Sequence, residues 1–194
     1  MRHFYFLPIA IFMLLSSLTP TTNSYFMMKQ QEDVINSTCQ QCADVSTVFD
    51  YDLCVTSLQA VPISHHVNLP GLAIVAMELD LANATSTVRT IEKLIASKEF
   101  DPFVVDCLRD CLEHYANAVS KVVLAIGAFL SDHYGAANMF LSAVVEESMS
   151  CEAEFRQKKG EPTPLVKENY YMFEISIIGL CIINLVTMDP SLSF

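Results

Sequence analysis

From about residue 68 onward, apolar side chains recur in steps of three and four, the spacing of one helix face. Leu72, Val75, Ala76, Leu79 and Ala82 form a first stripe, and Cys107, Leu108, Cys111, Leu112, Tyr115, Val119, Val122, Ile126 and Phe129 a second. Phe140, Leu141, Val144, Ser148, Cys151 and Phe155 form a third, and Tyr171, Ile175, Ile178, Ile182 and Leu185 a fourth. No stretch alternates apolar and polar residues long enough to predict a strand. Prolines fall between the stripes, at Pro62, Pro70, Pro102, Pro162 and Pro164. Asp101-Pro102 supplies a cap and a first-turn proline for the second long helix. Gly160, Pro162 and Pro164 end the third and start the fourth. Arg156, Lys158 and Lys159 suit the negative end of the third helix. The pattern predicts an all-α fold, an up-down-up-down four-helix bundle. Two shorter helical pieces precede it, over about 27–42 and 50–60; alone in water each is too short to hold its shape.

The chain opens with a basic start, Met1-Arg2-His3, an apolar run from Phe4 to Leu18 and a small-residue exit, Thr19 to Ser24. This is the pattern of a secretory signal peptide, with cleavage expected after Ser24. The alternative, an uncleaved anchor, needs a span of about 20 apolar residues. A second apolar run, Ile175–Val186, covers 12 residues and reads as a buried core helix. The expectation is therefore a signal over 1–24 and one domain over 25–194, with a helical hairpin at about 25–62 and the bundle at about 68–188. Export to the extracellular space is the default destination.

The chain carries 11 Lys+Arg against 22 Asp+Glu, a formal net charge of −11, and loss of Arg2 with the signal makes it more acidic. Such a charge argues against nucleic acid or an anionic membrane as the main partner. It favours encounter with a basic one. No Gly-rich phosphate loop, nucleophile elbow or His-Glu-x-x-His occurs. His65-His66 reads as a solvated connection, and His114 and His133 stand singly. Glu146-Glu147 and Glu152/Glu154 read as exposed helix faces; a hydrolase would need two of them facing across a cleft. Neither catalytic residues nor a cofactor nor a metal is expected. Asn36-Ser37-Thr38 and Asn83-Ala84-Thr85 are glycosylation sequons.

Seven cysteines remain: Cys39, Cys42, Cys54, Cys107, Cys111, Cys151 and Cys181. In an oxidising compartment they tend to pair, and an odd count leaves at least one thiol over. A bridge between the short helical pieces, from Cys39 to Cys54, would close a 15-residue loop and stabilise by about 3 kcal/mol. Cys111 and Cys151 are 40 residues apart and would stand level on antiparallel helices joined near Ser131-Asp132-His133. Cys39-Gln-Gln-Cys42 could also be a redox pair, or half of a zinc site completed by Cys107 and Cys111.

Several ordered segments resemble the plant invertase and pectin methylesterase inhibitor family. They are Thr38-Cys39 with Tyr51-Asp52-Leu53-Cys54-Val55-Thr56-Ser57-Leu58, then Leu108-Arg109-Asp110-Cys111-Leu112-Glu113-His114-Tyr115-Ala116-Asn117-Ala118. Asp132-His133-Tyr134, Ala136-Ala137-Asn138-Met139 and Ser148-Met149-Ser150-Cys151-Glu152-Ala153-Glu154-Phe155 follow. The long first loop resembles the branch that includes pollen allergens. The resemblance implies a four-helix bundle behind a helical hairpin, and disulfides Cys39–Cys54 and Cys111–Cys151. It implies an inhibitor that blocks, one to one, a carbohydrate-active enzyme of the plant wall or vacuole, with invertase favoured over pectin methylesterase, and so an apoplastic or vacuolar destination. A secreted, non-inhibitory helical binding protein is the reading of another class. Cys42, Cys107 and Cys181 depart from the family pattern. Cys181 reads as a buried free thiol, and Cys42 and Cys107 either bridge or leave Cys107 competing with Cys111. In invertase-directed members the turn between the second and third bundle helices carries Pro-Lys-Phe, which enters the substrate site. Here that region reads Ser131-Asp132-His133-Tyr134-Gly135, leaving Asp132, His133 and Tyr134 as candidate target contacts. A histidine there would make binding sensitive to acidic pH.

Overall fold

A computed structural model describes residues 34–157 and 163–188. The expected signal segment, the start of the hairpin and the Lys158–Pro162 break lie outside the described residues. Helix α1 runs through residues 34–45 and α2 through Tyr51–Gln59, followed by a short 3-10 turn at Pro62–His66. The four long helices are α3 (Leu69–Ser97), α4 (Pro102–Leu130), α5 (Tyr134–Phe155) and α6 (Val166–Met188). Each packs on the one before it, and α6 returns to α3, closing a four-helix ring.

Local chemistry sets the boundaries. Asp50, Asn68 and Asp101 each accept a bond from a backbone N–H of the first helical turn, those of Leu53, Gly71 and Val104. Pro70 and Pro102 occupy first-turn positions where no N–H is needed. α3 ends on Lys98 and α4 on Asp132, both left-handed, with φ 58° and 59°.

The core fills the ring, with Leu72, Met77, Leu108, Tyr115, Leu141 and Ile175 fully buried. α6 is long and apolar enough to cross a membrane, but its Ile175, Ile178, Ile182 and Ile183 are buried among its neighbours. Gly179 allows α6 to approach α5 closely: a Cβ there would lie 2.7 Å from Leu141 Cδ2. The first stripe is corrected in its second half. Ala82 faces solvent, and the inner face of α3 continues through Asp80, Ala84, Thr87 and Ile91. Two of those are polar, so a search for apolar residues passes them by. Asp80 is fully buried, and the Ser176 hydroxyl on α6 shares its one proton with the carboxyl, lying 2.8 and 3.0 Å from Oδ2 and Oδ1. Burial holds its carboxyl well above the usual range, and the Ser176 bond offsets part of that.

Candidate functional site: the α4–α5 turn and its supports

The turn between α4 and α5 is built by backbone bonds. Asp132 N–H donates to Phe129 C=O at 3.1 Å and His133 N–H to Ala128 C=O at 2.9 Å. This is the paired bonding of a Schellman ending, with Asp132 in the position that usually favours glycine. Ser131 Oγ also donates to Gly127 C=O at 2.9 Å. His133 then precedes α5 without a side-chain cap, and its carbonyl accepts from Ala137 N–H. Tyr134 O–H donates to Asp132 Oδ1 at 2.9 Å, and its ring packs at a tilt on Phe129, centroids 5.1 Å apart. The bond to Asp132 is the main cause of the raised Tyr134 hydroxyl pKa. Asp132 and His133 are exposed and Tyr134 is half-buried, so the three candidates form one compact, pre-set knob.

Below the turn, α4 and α5 are joined twice. Cys111–Cys151 is a disulfide with Cα atoms 4.8 Å apart. Glu147 on α5 accepts from His114 Nδ1 at 2.5 Å and from Lys121 Nζ, both on α4. Burial pushes the Glu147 carboxyl up, but the bonds and charges of Lys121 and His114 outweigh it, and the pKa is lowered. The readings of Glu147 as exposed and of His114 as single are corrected here. The available signal was on α4: positions 114 and 121 are seven apart and share a face. Nearby, Tyr115 O–H donates to Asn169 Oδ1, and Asn169 Nδ2 to Glu152 Oε2, both at 2.9 Å. Glu152 is thus half-buried in a network rather than on an open face.

The hairpin is tied to the bundle by covalent and polar links. Cys39 is bonded to Cys54, 15 residues on. Cys42 is bonded to Cys181 of α6, and Cys107 is the free, buried thiol. Two readings are thereby corrected: Cys181 is not free, and Cys42 does not pair with Cys107. Cys39 and Cys42, three apart on α1, point to different partners, so they make neither a redox pair nor half of a zinc site. Among the described residues no group of three or more metal-ligating side chains occurs. Burial is the main cause of the raised Cys107 thiol pKa, with Glu154 and Asp110 adding to it. Tyr170 O–H donates to Asp50 Oδ2 at 3.0 Å, and Tyr171 O–H to Ser57 Oγ at 3.5 Å. Glu174, 5% exposed, lies against Asp50 with Oε2 lacking a partner among the described residues. Burial raises its carboxyl, and the charge of Asp50 adds to this against a bond from the Asp50 backbone N–H.

The sequon asparagines differ in setting. Asn36 lies half-buried on α1, beside the buried Thr38 and Cys39. Asn83 sits in the middle of α3, and its amide reaches Met172 Sδ at 3.5 Å across the α3–α6 seam. His65 Nε2 is bonded to Gln59 C=O at 3.0 Å, while His66 is exposed.

A bundle held by disulfides, with a rigid exposed turn and no convergent catalytic group at it, has the form of a binding protein that acts by presenting a surface. Residues 33–182 match the family described as plant invertase/pectin methylesterase inhibitor. A relative from Platanus orientalis, named "Putative invertase inhibitor", is 37% identical over 79% of this chain and 89% of its own length. "Cell wall / vacuolar inhibitor of fructosidase 2" of Arabidopsis thaliana is 30% identical over 80% and 83%. The crystal structure of mutant form A of a pectin methylesterase inhibitor from Arabidopsis shares the fold, with TM-score 0.66 and 21% identity over 76% of this chain and 95% of that one. The chain belongs to the plant invertase/pectin methylesterase inhibitor family, whose members are inhibitor proteins and not enzymes.

Proposed function

We propose that this protein is a secreted inhibitor that binds a plant carbohydrate-active enzyme one to one and blocks its active site, with invertase favoured over pectin methylesterase. The preference for invertase is supported by the names of the more similar relatives: 37% identity to one named for invertase, against 26% to "Pectinesterase inhibitor" of Actinidia deliciosa. The name of the Arabidopsis relative supports the wall or vacuole as the working compartment. In this reading residues 1–24 are removed on export and residues 25–194 form the inhibitor domain.

The observation that carries the contact surface is the pre-set turn. Asp132, His133 and Tyr134 are held outward by backbone bonds and by the Tyr134–Asp132 bond, so little ordering cost remains to be met on binding. The test is titration of the purified protein against invertase and against pectin methylesterase at mildly acidic pH, with the double variant Asp132→Ala/Tyr134→Ala beside it. Inhibition of invertase that the double variant loses is expected. Inhibition of neither enzyme overturns the function, and unchanged inhibition by the variant removes the turn from the interface.

A further inference from the structure

Helix α2 is nine residues long, too short to hold its shape alone in water, so it depends on what it docks against. Its covalent ties run through α1: Cys54 is bonded to Cys39, and Cys42 of α1 to Cys181 of α6. The direct contact between α2 and α6 is noncovalent.

Three side chains meet where α2 begins. Asp50 is the N-cap: its Oδ1 accepts from Leu53 N–H at 2.9 Å, and its Oδ2 from Tyr170 O–H of α6 at 3.0 Å. The Asp50 backbone N–H donates to the carboxyl of Glu174, one turn further along α6. In a capping box that N–H is met by a Glu or Gln three residues into the same helix. Here that position is Leu53, and α6 supplies the acid instead. Glu174 is 5% exposed, so one of the two carboxyl groups at this junction is almost wholly buried.

We infer that Glu174 is an acid-closed latch for the start of α2: protonated, it seats Asp50 and the first turn of α2 on α6; ionised, it loosens them while both bridges stay closed. The cause is a pair of costs that only the charged form meets. Burial is the larger, and the charge of Asp50 adds to it. The Asp50 N–H opposes both and is outweighed, so the Glu174 carboxyl is held above its usual range. Of the elements packed on α6, α3 and α5 present no described charged group to Glu174, and the hairpin presents Asp50. On its own helix the titratable neighbour is Tyr170, whose hydroxyl is raised, chiefly by its bond to Asp50, and so stays a neutral donor. A group with a raised pKa contributes fully below its ordinary value, 4.5 here, and that contribution is lost as the pH rises through the folded value. The latch therefore closes in acid and slackens towards neutrality. It needs no target enzyme, so it stands or falls apart from the inhibitory reading.

The experiment is amide hydrogen exchange on the intact, disulfide-bonded chain at about pH 5 and about pH 7.5, with protection corrected for the pH dependence of intrinsic exchange. α4 serves as the internal reference. At the higher pH, protection of α2 should fall about tenfold further than that of α4, the equivalent of one pKa unit. Glu174→Gln keeps an acceptor for the Asp50 N–H but cannot ionise, and it should abolish that excess. In the natural chain the carboxyl carbon of Glu174, followed by NMR, should titrate above 4.5. Parallel loss of protection in α2 and α4, an excess that survives Glu174→Gln, or a Glu174 midpoint at or below 4.5 overturns the inference.

Discussion

Cys42 of the N-terminal hairpin is bonded to Cys181 of the last helix, 139 residues later in the chain. The bond makes the first and last described helices of the domain covalent neighbours. The other two bridges act more locally: Cys39–Cys54 closes the hairpin and Cys111–Cys151 clamps α4 to α5.

The long bridge should therefore carry much of the stability. The chain-entropy argument gives about 4–5 kcal/mol, allowing for the shortcuts that the other two bridges provide. Replacing Cys42 and Cys181 together by Ser should lower the denaturant midpoint accordingly, with the helical signal retained in the absence of denaturant. Peptide mapping under non-reducing conditions should find Cys107 as the one thiol that alkylates, and only after unfolding, because its side chain is buried.

The turn permits a separation of binding from folding. Asp132 has φ 59°, where glycine is at ease and an Asp is tolerated. Asp132→Gly relieves that strain but frees the unfolded chain, so stability should change by no more than about 0.5 kcal/mol. The same change removes the acceptor for Tyr134 O–H. Inhibition of the target should weaken about tenfold, as for the loss of one well-placed contact, measured beside thermal unfolding of the same samples.

Stability should peak in mildly acidic solution. Asp80 and Glu174 have pKa values raised above their ordinary 3.8 and 4.5. The penalty for ionising them in place is absent below those ordinary values and grows as the pH climbs towards the raised ones. Glu147 has the opposite sign: its lowered pKa contributes stability above its ordinary 4.5, lost as the pH falls through the folded value. Urea midpoints measured across pH should rise from neutral to about pH 4–5 and fall below it. Asp80→Asn with Glu174→Gln should flatten the neutral side, and Glu147→Gln the acid side.

The α5–α6 seam is tight at Gly179. Gly179→Ala would set a Cβ 2.7 Å from Leu141 Cδ2, so the end of that leucine must turn aside, at a cost of about 1 kcal/mol, the low end for overpacking. Leu141→Ala should cost less in the Gly179→Ala background than in the natural chain, because the two atoms occupy one space. A four-variant denaturation cycle measures that difference.

Much of the bundle was legible in the sequence. The four stripes at steps of three and four dictate amphipathic helices, and Asp101-Pro102 gives the start of α4 because capping and proline geometry act within one turn. The polar Ser131–His133 break between two apolar stripes locates the α4–α5 turn. Family resemblance supplied two cysteine pairings and pointed to the turn. What sequence left open depends on which helix faces meet. Cys42 and Cys181 are too far apart in the chain for spacing to pair them; only the docking of α1 on α6 brings their Cα atoms to 5.9 Å. Asp80, Glu147 and Glu174 look like ordinary surface acids in a list of residues. Tertiary packing buries them and gives Asp80 a hydroxyl partner, Glu147 two cations and Glu174 an acidic neighbour. Helical periodicity is a property of neighbours along the chain, and charge matching and bridge choice are properties of neighbours in space.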